Sequence, residues 1–145
     1  MEGRLVQDIE WMQRALELAL LAKAKGEVPV GAIIVQDNNI IGQGYNQPIA
    51  RNDPTAHAEI IAIRVAAEQV ANYRLLNSTL YVTLEPCEMC LGAIIHARIE
   101  RLVFAAFDPK KQHDYSKYTN LQVINGILEI ECSTVLKDFF RAKRV

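Results

Sequence analysis

Long apolar runs are missing from this chain. The longest, such as Val28–Val35, is far short of the roughly 20 residues that cross a bilayer, so no membrane partner is expected. The opening MEGRLVQDIE has no basic stretch leading into an apolar core, so it does not read as a secretory signal. Cysteine is scarce: three in 145 residues are too few, and odd in number, for a disulfide framework. They suit a reducing cytoplasm. Neither sign of charge dominates, with 16 Lys+Arg against 17 Asp+Glu and a net charge of -1. That balance argues against a chain coated by nucleic acid, but it leaves room for a local basic patch. Repeats, linkers and low-complexity segments are absent as well. With 50% hydrophobic and 23% charged residues the chain can bury a real core, and its length suits a single domain over residues 1–145.

The elements alternate, which favours layered α/β. Helical spacing of Ile9, Met12, Ala15, Leu16, Ala19 and Leu20 predicts a helix from Val6 to Lys25, closed by Gly26. Val30–Val35 reads as a buried strand, Asp37–Asn39 as a tight turn, and Ile40–Tyr45 as the hairpin return. A loop at Asp53–Thr55 opens a helix near His57. Thr79–Leu84 is rich in residues that favour strands. Pro86 ends that strand and starts a helix with its body at Cys90–Ala97. A fourth strand at Arg101–Phe107, a polar loop from Asp108 to Asn120, a short strand at Leu121–Ile124 and a helix at Glu129–Lys143 complete the chain.

Two segments carry chemistry. His57 and Glu59 lie in Thr55–Glu59 (TAHAE), and Cys87 and Cys90 lie in Leu84–Cys90 (LEPCEMC). The i, i+3 spacing places both sulfurs on one helix face, one turn apart. Two thiolates and one imidazole suit Zn²⁺, and three protein ligands leave a fourth position for water, which is a catalytic layout. Thiolates near a helix start are favoured by its dipole and its free N–H groups. Two thiolates also cancel the charge of Zn²⁺, so the water needs a base, for which Glu59 is the candidate. His57 and Glu59 would diverge on a mid-helix surface and can share one metal only over the helix's N-terminal end. Taken alone, a CxxC is equally a redox pair or half of a structural zinc site, and an HxE is a polar helix face. Together, H-x-E followed by P-C-x-x-C is the signature of zinc deaminases.

Around that signature the sequence closely resembles the bacterial tRNA-specific adenosine deaminases (the TadA family) of the cytidine deaminase-like superfamily. The resemblance runs from about Trp11 to Phe107 and resumes at Gly126–Arg144. Glu27–Ala32 (EVPVGA), Asn46, Asp53–Glu59 (DPTAHAE) and Asn72–Leu75 (NYRL) carry its first half. Thr79–Cys90 (TLYVTLEPCEMC), Ile95–Ile99 (IHARI) and Asp138–Arg141 (DFFR) carry the rest. It implies a three-layer α/β/α cytidine deaminase-like fold around a mixed five-stranded sheet. It also implies conversion of the wobble adenosine (34) of a tRNA anticodon stem-loop to inosine. His57, Cys87 and Cys90 then hold Zn²⁺. Hydroxide attacks adenine C6, a tetrahedral intermediate forms, and ammonia leaves while Glu59 shuttles the protons. Asn46 resembles the residue that bonds the flipped base, though its residue type also fits a turn after a strand. The segment Val28–Gly31, with Val30, resembles a pocket wall, Leu84 is a further candidate substrate contact, and the Ala58 N–H resembles a donor to the oxygen on the zinc side. A homodimer is implied, with Ile94, Ile95 and Ala97 as an interface or a buried helix face.

One stretch departs from the family. The pattern D-x-K-x-G-A-x-G-S keeps Asp108 and Lys110 here but lacks the Gly-Ala-x-Gly-Ser run, and about ten residues are missing. A parallel crossover needs about a dozen residues, so the last strand is expected to be short or reoriented. This loop, with Lys110, would border the RNA. Lys137, Arg141, Lys143 and Arg144 crowd the last nine residues against one acid, Asp138, which suits phosphate contact or equally a helix C-terminus. Cys132 reads as a core thiol and His113 as solvated. The altered loop keeps a free-nucleobase or nucleoside deaminase as the alternative. A non-catalytic zinc protein that binds RNA is a third class, against which Glu59 argues.

Overall fold

The computed structural model describes residues 2–111 and 113–143. Helix α1 spans Glu2–Ala24 and buries Met12, Ala15, Ala19 and Ala22, which recur at helical spacing. Leu20 faces outward, so the buried stripe is narrower than the sequence pattern suggests. The helix closes as expected at Gly26, whose φ of 79° is left-handed. Glu27 N–H donates to Ala22 O and Gly26 N–H to Lys23 O, both at 3.0 Å, which is a Schellman cap.

Strands β1 (Gly31–Gln36) and β2 (Asn39–Tyr45) form a hairpin. Its two-residue turn places Asp37 and Asn38 at φ 51° and 61°, the geometry of a type I′ turn. Helix α2 (Pro48–Arg51) is one short turn that the sequence pattern did not suggest. The buried Glu27 carboxylate caps it, accepting from Ile49 N at 3.2 Å and Ala50 N at 2.9 Å. Helix α3 (Ala58–Val70), strand β3 (Ser78–Leu84), helix α4 (Glu88–His96) and strand β4 (Arg101–Ala106) follow. After one 3₁₀ turn at Tyr115–Lys117 come β5 (Gln122–Asn125) and α5 (Glu129–Lys143).

The sheet order is β2-β1-β3-β4-β5. The pairs β2–β1 and β1–β3 are antiparallel, whereas β3–β4 and β4–β5 are parallel. Alternation along the strands builds two cores. Ala32, Ile34, Leu80, Val82, Leu102 and Phe104 face α3 and α4. Ile33, Val35, Tyr81 and Val103 face Met12 of α1 and Cys132 of α5. This is the expected three-layer fold with a mixed five-stranded sheet, and Cys132 is the expected core thiol. The last strand is short, as expected, but keeps the parallel orientation, because Gln122–Asn125 pairs in register with Arg101–Phe104. Ile94 and Ala97 are core residues and only Ile95 is partly exposed, so the apolar run is mainly a buried helix face.

Glycines in β2 let α3 lie close to the sheet. A Cβ on Gly44 would sit 2.8 Å from Ala58 O and from two Ile61 side-chain atoms. The first turn of α3 is therefore pressed onto β2, which fixes where His57 points.

Candidate metal centre and active site

His57 is the residue before α3, with φ −75° and ψ 153°, so it is not helical. Its loop is held by Asp53, whose Oδ1 accepts from Thr55 N at 2.9 Å and Thr55 Oγ1 at 2.7 Å. His57 N–H donates to Thr55 O at 2.7 Å, and Gln47 N–H to Ala56 O at 2.9 Å. Cys87 stands in the matching position before α4, with φ −73° and ψ 173°, and Cys90 lies in that helix's first turn. Two helix N-termini thus converge, and their positive ends favour thiolates. Because His57 lies just outside α3, it and Glu59 are not constrained to diverge as they would mid-helix.

The donor atoms cluster tightly. His57 Nδ1 lies 3.6 Å from Cys87 Sγ and 3.5 Å from Cys90 Sγ. All three ligand atoms fall within 4.8 Å of one another. Zinc–sulfur bonds of about 2.3 Å and zinc–nitrogen bonds of about 2.05 Å, at a tetrahedral angle, require sulfur–nitrogen distances of about 3.6 Å. The residues present therefore fit zinc.

Glu59 is buried, at 4% exposure, and burial raises its carboxyl above the ordinary range. Its own backbone N–H, the Lys111 charge and the Cys90 thiol act the other way without reversing that. Burial, then the charge of Glu59, pushes the Cys90 thiol up. Burial pulls His57 down, assisted by Lys111, which keeps the imidazole neutral and able to ligate.

The pocket residues gather on the α3 side. Asn46 Oδ1 accepts from Ala58 N at 2.8 Å, and Asn46 N–H donates to Val30 O at 3.1 Å. The Ala58 N–H is thus engaged by Asn46, so any site oxygen competes for this donor. A backbone N–H partner also settles the amide orientation, leaving the Asn46 Nδ2 hydrogens available. Val30 is buried, while Leu84 is half-buried at the end of β3, opposite Ala106.

Lys110 is exposed, and so are Lys137, Arg141 and Lys143 on α5, which packs against β3 and β4. Arg144 lies outside the described residues. The cation that reaches the site is Lys111, which the sequence reading passed over. Its Nζ donates to Glu85 O at 2.9 Å and pairs with Asp108 at 3.1 Å. Glu85 was also missed, although it is a buried carboxylate at a strand end next to a ligand. Its place just after the apolar run of β3 signals that it needs partners, but not which ones. His113 is not simply solvated: its half-buried ring bonds Pro86 O through Nε2 at 2.8 Å. A groove of about 920 Å³ lined by Leu76, Ile99, Tyr118 and Gln122 contains none of these residues.

Sheet order, helix layers and donor cluster define a deaminase of the cytidine deaminase-like class. The family model described as MafB19-like deaminase matches residues 6–144. A tRNA-specific adenosine deaminase of Haemophilus influenzae is 55% identical over 147 positions, covering 94% of this chain and 85% of its own. That of Bacillus subtilis is 40% identical, covering 97% and 92%. A solved structure from studies of A-to-I editing by tRNA:A34 deaminases superposes with a TM-score of 0.82 at 40% identity, covering 88% of this chain and 99% of its own. The chain belongs to the MafB19-like deaminase family, among the tRNA-specific adenosine deaminases. The Haemophilus alignment takes 147 positions to cover 94% of 145 residues, so this chain is shorter by about ten residues there.

Proposed function

We propose that this protein deaminates adenosine to inosine at the wobble position (34) of tRNA, releasing ammonia. The observation that carries the chemistry is the convergence of His57 Nδ1 with both cysteine sulfurs beside buried Glu59. The substrate follows from relatives named as tRNA-specific adenosine deaminases that match nearly the whole chain.

His57, Cys87 and Cys90 would hold zinc, which when bound supplies a Lewis acid that makes water a nucleophile near neutral pH. Glu59 accepts a proton from that water at its carboxylate and delivers protons to the ring nitrogen and the departing 6-amino group. Its buried carboxyl holds a proton more readily than a solvated one, which suits the accepting half of that transfer. Asn46 presents its Nδ2 hydrogens to an acceptor on the flipped base, with its oxygen fixed by Ala58. Val30 and Leu84 form apolar walls. Lys110, Lys137, Arg141, Lys143 and Arg144 are the candidate phosphate contacts, exposed wherever they are described.

Residues 1–145 act as one domain in this reading, and the protein works in the cytoplasm, in line with a tRNA substrate. No helix among the described residues is long and apolar enough to cross a membrane. A homodimer gives a small domain the extra surface needed to embrace a stem-loop. Exposed Met89 and partly buried Ile95 on α4 are suited to that contact.

Incubating the zinc-loaded protein with an adenosine-34 tRNA should yield inosine, and Glu59→Gln should lower the rate by roughly 10²–10⁴-fold. Folded, metallated protein that leaves the tRNA unchanged would refute the reading. Ammonia released from free guanine or cytosine instead would favour the nucleobase alternative.

A further inference from the structure

Four hydrogen bonds tie the segment between β4 and β5 to the two residues before a candidate metal ligand. Glu85 and Pro86 join the end of β3 to Cys87. Pro86 has no N–H, and Glu85 N–H completes the strand by donating to Ala106 O at 2.9 Å. The polar groups that remain are the two carbonyls and the Glu85 carboxylate, and all are taken by this segment. Asp108 N–H donates to Glu85 Oε1 at 3.1 Å, and Tyr115 Oη–H to Oε2 at 2.6 Å. Lys111 Nζ donates to Glu85 O at 2.9 Å and His113 Nε2–H to Pro86 O at 2.8 Å.

These bonds are sheltered. Glu85 is 4% exposed, and the Tyr115 ring lies against Phe104, with centroids 6.1 Å apart. The described residues of the segment also include one 3₁₀ turn, and Tyr115, Tyr118 and Leu121 pack against the core. Lys111, His113 and Tyr115 all lie where the sequence departs from the family pattern. Rotation of the Glu85–Pro86 peptide would swing the Cys87 side chain away from His57 Nδ1, and the four bonds oppose that rotation.

We propose that Tyr115 and Glu85, with Lys111 and His113, form a bracket that positions Cys87 for metal binding. They are positioning residues and lie outside the donor cluster of His57, Cys87 and Cys90. The bracket replaces a longer crossover as the brace of the site. It rests on the zinc reading given above.

The test measures Zn²⁺ affinity of the full chain by competition with a chromogenic chelator, and the absorption spectrum of the Co²⁺-loaded protein. Tyr115→Phe and Glu85→Gln should each weaken zinc binding by about 10-fold or more, as loss of a residue supporting a ligand typically does. Both should also alter the thiolate–cobalt charge-transfer bands, which a general loss of stability would not move. Ser116→Ala disrupts the Asp114 turn in the same segment without touching the bracket, and should stay within about twofold of wild type. Unchanged affinity and spectra in Tyr115→Phe and Glu85→Gln overturn the proposal, as does an equal loss in Ser116→Ala. If Tyr115→Phe does not fold, His113→Phe, which removes only the bond to Pro86 O, is read by the same criteria. Wild-type protein that binds neither metal refutes the zinc reading itself.

Discussion

Replacing Gly44 by alanine probes how the sheet positions the active site. The new Cβ would lie 2.8 Å from Ala58 O and from Cβ and Cγ2 of Ile61. Two of these atoms belong to rigid helix, so the side chain cannot swing aside. Reaching an ordinary contact of about 3.4 Å requires the first turn of α3 to move about 0.6 Å. Overpacking of this kind costs about 1–3 kcal/mol. With an unfolding entropy of ~2.1 cal/mol/K per residue, a chain of this length loses about 3 °C of Tm per kcal/mol, so Tm should fall by about 3–10 °C. The same movement carries His57 and Glu59. Since a misplacement of about 1 Å can cost about 100-fold in rate, inosine formation should drop at least ~10-fold. Gly3→Ala is the control: nothing lies within 4 Å of its Cβ near the start of α1, and the change should stay within about 0.5 kcal/mol of wild type. Calorimetry and single-turnover assays on both variants decide the matter. A Gly44→Ala protein with wild-type Tm and rate would refute the packing argument.

Other perturbations follow from the same structure. Asp8 on α1 accepts from Tyr81 Oη at 2.6 Å and from Arg101 Nη2 at 2.9 Å, all three being buried. Asp8→Ala strands a buried guanidinium and should cost about 3–5 kcal/mol by denaturant titration, whereas Tyr81→Phe should cost about 1–2. Burial holds the Cys90 thiol protonated in metal-free protein, so zinc must displace protons to bind. Chelator competition should show affinity rising with pH, with protons released on binding. Burial raises the Asp108 carboxyl, but the Lys110 N–H and the Lys111 ammonium outweigh it, and the net shift is downward. The stability from that ion pair is full above the unfolded carboxyl value of about 4 and is lost as pH falls through the lower folded value. Asp108→Asn should therefore lower stability above that acid window and flatten its pH dependence within it.

Local pattern is enough to specify most elements of this protein. The apolar run of Gly31–Gln36, the strand-favouring residues of Ser78–Leu84, the helical stripe of α1 and the turn residues Asp37 and Asn38 each encode structure within a few positions. The candidate metal ligands were equally legible, because a histidine and a CxxC pair at helix starts form a local chemical signature. Burial partners and long-range capping cannot be read that way. Asn46 engages the Ala58 N–H and Glu27 caps α2, and both contacts join positions far apart along the chain. Glu85 gives no local sign that it holds the Asp108–Tyr115 segment. His113 reads as solvated until the fold brings the Pro86 carbonyl beside it, and Lys111 looks no different from Lys110 until it reaches Glu85. The parallel course of β5 was also a tertiary outcome, because a crossover too short for a helix gains its position from contacts rather than from its own periodicity. The residue types that can hold a metal are therefore chosen locally, whereas the bracing that sets their geometry depends on hydrogen bonds between distant segments. Those bonds exist only once the strands have paired and closed the site.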